Sequence, residues 1–236
     1  METIERPADA LRPVTIQKDF TATKGGSVLI TCGNTKVLCT ALLEKGTMPF
    51  LTGTGKGWLT AEYAMLPSST GSRKKRDGIK QDGRSTEIQR LIGRCLRQAL
   101  DMTKLGENVI YIDCDVLQAD GGTRTASITG GYVALATGIK KWLRQGLLTE
   151  NPLTHQVAAV SVGIVNEEPV LDLCYVQDSR AQVDMNIIMN EKGDFIEVQG
   201  NGEGRAFTPD ELNKLLTLGK KGITELMACQ KEAIEG

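Results

Sequence analysis

Two blocks of alternating apolar and polar positions organise this chain, each followed by a stretch with helical spacing. In the first block, residues 14–16, 27–32, 36–43 and 57–65 read as short strands. Gly25-Gly26 and Gly33-Asn34 punctuate them as turns. A polar, basic stretch follows. The spacing then predicts a helix from about residue 86, with Ile88, Leu91, Ile92, Cys95, Leu96 and Ala99 on one face. Thr86 and Gln89 fit a capping box at its start, and Gly106 lies just past its end. The second block opens with a strand over 108–117. Ile110, Ile112, Cys114 and Val116 share one face of it, and Tyr111, Asp113 and Asp115 the other.

A Gly121-Gly122 turn leads into a helix over 125–143, stopped near Gly146. Residues 157–165 and 170–176 flank Asn166-Glu167-Glu168-Pro169 as a hairpin, and 184–189 and 194–198 form another. A glycine-rich loop, GNGEG, precedes a final helix. Thr208 is its N-cap, Pro209 its first residue, and Asp210 and Glu211 suit the positive end of its dipole. The order of strands, helix, strand, helix, strands, helix is that of an α+β protein with mixed sheets, not of an alternating Rossmann chain. No linker is visible, so residues 1–236 read as one domain built from two sub-blocks.

Composition narrows the chemistry. Hydrophobic residues make up 40% and charged residues 24%, ordinary for a globular protein. The net charge of −1 means that contact with nucleic acid needs a local patch. No apolar run reaches the ~18 residues of a membrane span, and METIERPADALRP has no apolar signal core, so the expected location is the cytoplasm. The six cysteines contain no C-x-x-C pair and read as small apolar residues, without a zinc site or disulfide framework. His155 is the only histidine and lies in a loop-like stretch far from any nucleophile motif, which argues against a histidine base.

Three segments carry candidate chemistry. Gly121-Gly122-Thr123-Arg124 opens a helix: the glycines allow close backbone approach, the helix N-terminus offers amides, Thr123 a hydroxyl and Arg124 a planar fork for phosphate oxygens. As plain structure, the same residues make a strand-to-helix turn. Neither the P-loop nor the dinucleotide glycine pattern is present. In DSRAQVDMN, Asp178 and Asp184 stand at the ends of a short loop, where two carboxylates can hold Mg²⁺, or Mn²⁺, alongside substrate phosphates. As plain structure they are a turn and a strand-cap aspartate. Asp172, six residues before Asp178, is a third candidate, but its mid-strand position reads as a residue on a sheet face. Residues 73–84 hold six basic side chains, including Arg73, Arg76 and Arg84, against two acidic ones. That is either a solvated loop or a grip on a phosphate backbone. Arg84 stands beside a helix start and completes a second half of an anion pocket. Trp58 and Tyr63 read as core aromatics.

ADALRPVTI, GSVLITCGNTKVLCTA, GWLTAEYAMLP, GRSTEIQRLIGR, IDCDVLQADGGTRTASITG, AAVSVGIVN, DSRAQVDMN and IEVQG, in that order, resemble the ribonuclease PH family over essentially the whole chain. The resemblance implies the β/α fold shared with polynucleotide phosphorylase core domains and exosome ring subunits. It implies phosphorolysis: inorganic phosphate, as co-substrate, attacks the 3′-terminal phosphodiester of RNA and releases nucleoside diphosphates, reversibly. It implies processing of precursor tRNA 3′ ends and a hexameric ring built as a trimer of dimers. By position it puts phosphate binding on Arg84, Gly122, Thr123 and Arg124, the metal on Asp178 and Asp184, and RNA contact on Arg73 and Arg76. The chain departs from the family where Ser68 stands for a usual arginine, and where Gln177 and Gln182 stand for acidic residues around the metal site. Two rival readings are a catalytically silent RNA-binding ring subunit and a hydrolytic nuclease.

Overall fold

The computed structural model describes residues 6–76 and 82–236. Asp77 and Lys80 of the basic stretch lie outside the described residues. Strands β1 (Val14–Lys18), β2 (Gly26–Cys32), β3 (Thr35–Lys45), β4 (Trp58–Met65) and β5 (Asn108–Gln118) form one sheet in the order β1-β2-β3-β5-β4. Its neighbours are antiparallel except β4 with β5, which are parallel and joined through helix α1 (Gly83–Arg97). Strands β6 (Val157–Val165), β7 (Glu168–Leu171), β8 (Val183–Asn190) and β9 (Phe195–Gly202) form the second sheet in the order β7-β6-β8-β9. The first sheet is mixed; the second is antiparallel throughout.

Helix α2 (Thr123–Arg144) touches β2, β3 and β5 of the first sheet and β6 of the second. The strand face read from alternation is the one it covers: Ile110, Ile112, Cys114 and Val116 pair with Leu43, Ala41, Cys39 and Val37, and nearly all are buried. Ile128, Val133, Leu135, Ile139 and Trp142 of α2 are buried against both layers. Each such side chain is worth about 1.5–3 kcal/mol when fully removed from water. Polar groups that this burial strands are paired. Thr129 Oγ1 bonds the Ala159 carbonyl and amide at 3.1 Å, and Gln230 Nε2 bonds the carbonyls of Thr129 and Val157 at 2.9 Å. Gln230 belongs to helix α4 (Pro209–Glu235), which packs on β1, β6, β7 and β8. Thr208 is its N-cap as expected, and the structure adds a capping box, with Thr208 and Glu211 bonding each other's backbone amides.

Three elements differ from the sequence reading. Helix α1 is capped by Asp82, whose carboxylate accepts the Ser85 amide at 2.5 Å, so the helix starts before Thr86. Thr86 lies inside it, donating its hydroxyl to the Asp82 carbonyl at 3.0 Å. The strand expected over 170–176 stops at Leu171: Asp172 adopts φ 56°, which no strand tolerates, and a one-turn helix, α3 (Tyr175–Asp178), follows. The start of the glycine-rich GNGEG stretch extends β9 to Gly202 instead of forming a loop. Among the described residues, no helix is long and apolar enough to cross a membrane.

The contact of α2 with the first sheet depends on Gly130, where an added Cβ would stand 2.7 Å from Ile30 Cγ2 and 3.0 Å from Cys39 Sγ. Gly130→Ala is expected to destabilise the fold by about 1–3 kcal/mol through overpacking. Chemical denaturation of the two proteins checks this, and an unchanged or raised midpoint would contradict the packing described.

Candidate functional site

A cleft of about 870 Å³ opens where the first turns of α1 and α2 meet α3 and the start of β8. One wall is cationic. Arg84, the second residue of α1, and Arg124, the second of α2, both line it. Arg124 is held from two sides: its Nη1 lies 3.4 Å from a Glu87 oxygen on α1 and donates to Gln199 Oε1 on β9 at 3.0 Å. Lys74 also lines the cleft and bridges to Asp82 at 2.6 Å.

Between the arginines stands the bare N-terminus of α2. Its N-cap is Gly122, which has no side chain to cap with, and among the described residues the amides of Gly122, Thr123 and Arg124 have no hydrogen-bond partner. Gly121 and Gly122 adopt φ 74° and 66°, a left-handed path that favours glycine. A Cβ on Gly121 would also lie 2.5 Å from the Leu173 carbonyl oxygen. Thr123 Oγ1 is 2.8 Å from the buried Tyr63 hydroxyl, so its rotamer is fixed. Unpaired amides at the positive end of a long buried helix, flanked by two guanidinium groups, have the chemistry that favours an anion.

The opposite wall is acidic. Asp178 ends α3 and Asp184 is the second residue of β8; both line the cleft, with Glu203 nearby. Asp178 is exposed as a residue, but its carboxyl sits among enough protein atoms that desolvation raises its pKa, while Arg84 and Arg124 pull it back. Burial likewise raises Asp184, and repulsion from Asp178 and Glu203 adds to it. Asp184 Oδ1 is buried without any hydrogen-bond partner. Two mutually repelling carboxylates, one with an orphaned oxygen, facing an anion site fit a divalent cation that keeps waters and substrate oxygens as its other ligands. Among the described residues no group of three His, Cys, Asp or Glu side chains forms a complete protein cage.

The structure thus brings Arg84, Gly122, Thr123, Arg124, Asp178 and Asp184 into one cleft. It leaves Arg73 and Arg76 exposed outside it, on the segment that leads to its rim, and places Lys74 in the wall instead. His155 is away from the cleft, bonded to Glu191 at 2.8 Å. Tyr63 is buried as expected of a core aromatic, but its hydroxyl also serves the site. Sequence reasoning missed Gln199, which holds Arg124, and Arg12, and it placed Asp172 on a sheet face without its partner Arg12. Those two form a buried ion pair of 2.7 Å beneath the glycine turn. An arginine between apolar neighbours in ALRPV was the available signal.

The description "3′ exoribonuclease family, domain 1" matches residues 10–139, and "3′ exoribonuclease family, domain 2" matches residues 155–222. The chain belongs to this ribonuclease PH-like 3′ exoribonuclease family. Among solved structures it is similar to Rrp46 of rice (Oryza sativa), with a TM-score of 0.79 at 16% identity over 97% of this chain and 98% of that one. It is also similar to the Archaeoglobus fulgidus exosome with RNA bound to the active site, with a TM-score of 0.78 at 20% identity over 94% and 89%. An archaeal exosome core matches with a TM-score of 0.74 at 20% identity over 96% and 89%. At such identities the likeness concerns the fold.

The cap that places Arg84 is itself ionic. Lys74 and the Ser85 amide hold the Asp82 carboxyl down at about 2. Its folded pKa lies below the unfolded value of ~3.9, so its contribution is complete above that value and is lost as pH falls towards 2. Asp82→Ala is expected to cost about 1 kcal/mol at neutral pH, with the gap to the parent protein closing in acid. Denaturant midpoints measured across that range check it; a gap independent of pH would contradict the capping role.

Proposed function

We propose that this chain is a phosphate-dependent 3′-to-5′ exoribonuclease that releases nucleoside diphosphates. The observation that carries the reading is the meeting in one cleft of an anion site, built from Arg84, Arg124 and the open amides of α2, with the carboxylates Asp178 and Asp184. Arg84, Arg124 and the amides of Gly122 and Thr123 hold inorganic phosphate and orient one of its oxygens towards the last phosphodiester of the RNA. That oxygen forms the new P–O bond, and the bond to the upstream 3′ oxygen breaks. The proton carried by the phosphate balances the charge left on that oxygen, so the RNA keeps a 3′ hydroxyl and the released nucleotide carries the diphosphate. A side-chain base is not needed, because phosphate is a competent nucleophile near neutral pH. Asp178 and Asp184 would hold Mg²⁺ or Mn²⁺, which supplies charge neutralisation on the scissile phosphate. The residues contribute positioning and preorganised charge. One phosphate ester is exchanged for a phosphoanhydride, so the step is reversible, and excess nucleoside diphosphate drives 3′ addition.

The RNA in this reading is a precursor tRNA 3′ end or another structured RNA, such as ribosomal RNA, in the cytoplasm. The exposed Arg73, Lys75 and Arg76 provide salt-dependent contact with its backbone. The similar archaeal structure has RNA at its active site, and the likeness to exosome core structures supports assembly into a ring, here proposed as a homohexamer of three dimers.

The test is nucleotide release from a 3′-extended tRNA with Mg²⁺, with and without inorganic phosphate. Nucleoside diphosphates appearing only with phosphate are expected. Monophosphates without it would mean hydrolysis, and RNA binding without product would mean a silent ring subunit. Arg84→Ala and Arg124→Ala are each expected to raise the phosphate KM by about ten- to hundredfold, the size of one lost charge-assisted hydrogen bond. An unchanged phosphate KM in both removes the proposed pocket. Asp184→Asn should abolish Mg²⁺-dependent turnover and also the rise in melting temperature that Mg²⁺ gives the parent protein, while RNA binding persists. A variant that keeps either Mg²⁺ response refutes the metal role.

A further inference from the structure

Arg12 is 2% exposed, so its charge is carried inside the protein. Its Nε and Nη2 bond the two oxygens of Asp172 at 2.9 and 2.7 Å, and its backbone amide bonds the same carboxylate at 2.9 Å. A buried pair of this kind gains little over an apolar pair of the same volume, because both charges give up water. Its geometry is more telling than its energy. Arg12 Nη1 donates to the Asp120 carbonyl at 2.6 Å, and Nη2 reaches the Gly121 carbonyl at 3.5 Å. From β3, the buried Thr35 hydroxyl donates to the same Gly121 carbonyl at 2.7 Å and accepts the Asp120 amide at 2.9 Å.

A planar trans peptide carries its N–H on the side opposite its C=O. Pinning the carbonyls of Asp120 and Gly121 onto Arg12 and Thr35 therefore turns the amides of Gly121 and Gly122 away from the buried pair. Glycine alone does not select that orientation, since it is free in most of backbone space. Space beneath the turn is also set by the pair: a Cβ on Gly122 would lie 3.0 Å from Arg12 Nη2. Neither Arg12 nor Thr35 lines the cleft.

We infer that Arg12, locked by Asp172, and Thr35 are positioning residues for phosphate: they fix the Asp120-Gly121-Gly122 turn so that its amides meet the attacking phosphate. The inference rests on the phosphorolytic reading above and concerns which residues set its phosphate affinity. The pair acts through backbone orientation and touches no reacting atom. Its signature is a selective loss of phosphate affinity, with RNA affinity intact.

The experiment measures initial rates of nucleoside diphosphate release from a 3′-extended RNA as phosphate is varied, and separately as RNA is varied, in the full chain with Mg²⁺. The proteins are the parent, Arg12→Lys, Thr35→Val, Thr35→Ser and Gln230→Leu. Arg12→Lys and Thr35→Val are expected to raise the phosphate KM about ten- to hundredfold, the effect of one misplaced charge-assisted hydrogen bond, with the RNA KM unchanged. Thr35→Ser keeps the hydroxyl and should restore the parent value. Gln230 is equally buried but serves carbonyls of α2 and β6 outside the turn, so Gln230→Leu should lower the melting temperature and leave the phosphate KM alone. A parent-like phosphate KM in folded Thr35→Val overturns the inference. So does a joint rise of both KM values, or an equal rise in Gln230→Leu. If Arg12→Lys does not fold, the Thr35 pair decides. A parent protein that does not respond to phosphate would overturn the exoribonuclease reading itself, and that outcome is distinguishable because it is seen without any variant.

Discussion

Helix α2 meets water along very little of its length, and a helix buried on every side must be covered on every side. That requirement brings the two sheets together: β2, β3 and β5 cover one flank and β6 another, with α1 and α4 alongside. It also fixes where the helix begins. Its first turn emerges from the core at the edge of both sheets, where no side chain caps it and its dipole ends in open space. The cleft is the place where the central helix runs out of protein, so the open amides that would favour an anion there follow from the packing of the core.

Charge in the cleft is arranged by distance from that helix end. The guanidinium groups of Arg84 and Arg124 flank it, and the carboxylates of Asp178 and Asp184 stand on the facing wall. Burial works against the ionised form of Asp178, as does Glu203, whereas the arginines stabilise it; Asp184 is raised by burial and by Asp178. An acidic pair in one cleft, with one oxygen lacking any partner, is a poor structural element, and its chemistry suits a cation. Arg124 is not free to swing into either role, because Glu87 and Gln199 hold it in register with the cleft. Its orientation is settled before any ligand arrives, which lowers the entropy lost on binding.

Much of this was legible in the sequence where the deciding interaction is local. The N-cap of α4 is a single local residue, Thr208, and read correctly, while Glu211 read only as a charge suited to the dipole and not as the acceptor of the Thr208 amide. The face of β5 that alternation puts against the core also read correctly. The cap of α1 misread because Asp82 sits in a polar stretch that resembles loop, while Thr86 and Gln89 offered the same pattern one turn later. Asp172 misread for a different reason. Leu171 and Leu173 make its surroundings look like strand, yet its conformation is set by Arg12, 160 residues away in the chain. Arg84, Arg124, Asp178 and Asp184 each stood out as residues, from motif and resemblance. Their convergence in one cleft, and the support of Arg124 by Gln199, depend on contacts that spacing cannot report. Tyr63 shows the same limit at a single side chain: its ring is core, and its hydroxyl serves Thr123.

Arg124 reaches across layers. It stands on α2, leans on Glu87 of α1, and is held by Gln199 of the second sheet's edge strand. Asp178 and Asp184 complete the site from that same second layer. Any ligand that touches both walls therefore binds only the assembled sandwich. By linkage, its binding free energy is added to the free energy that holds the two sheets about their helix. Filling the cleft and keeping the layers closed are one equilibrium, observed at two places.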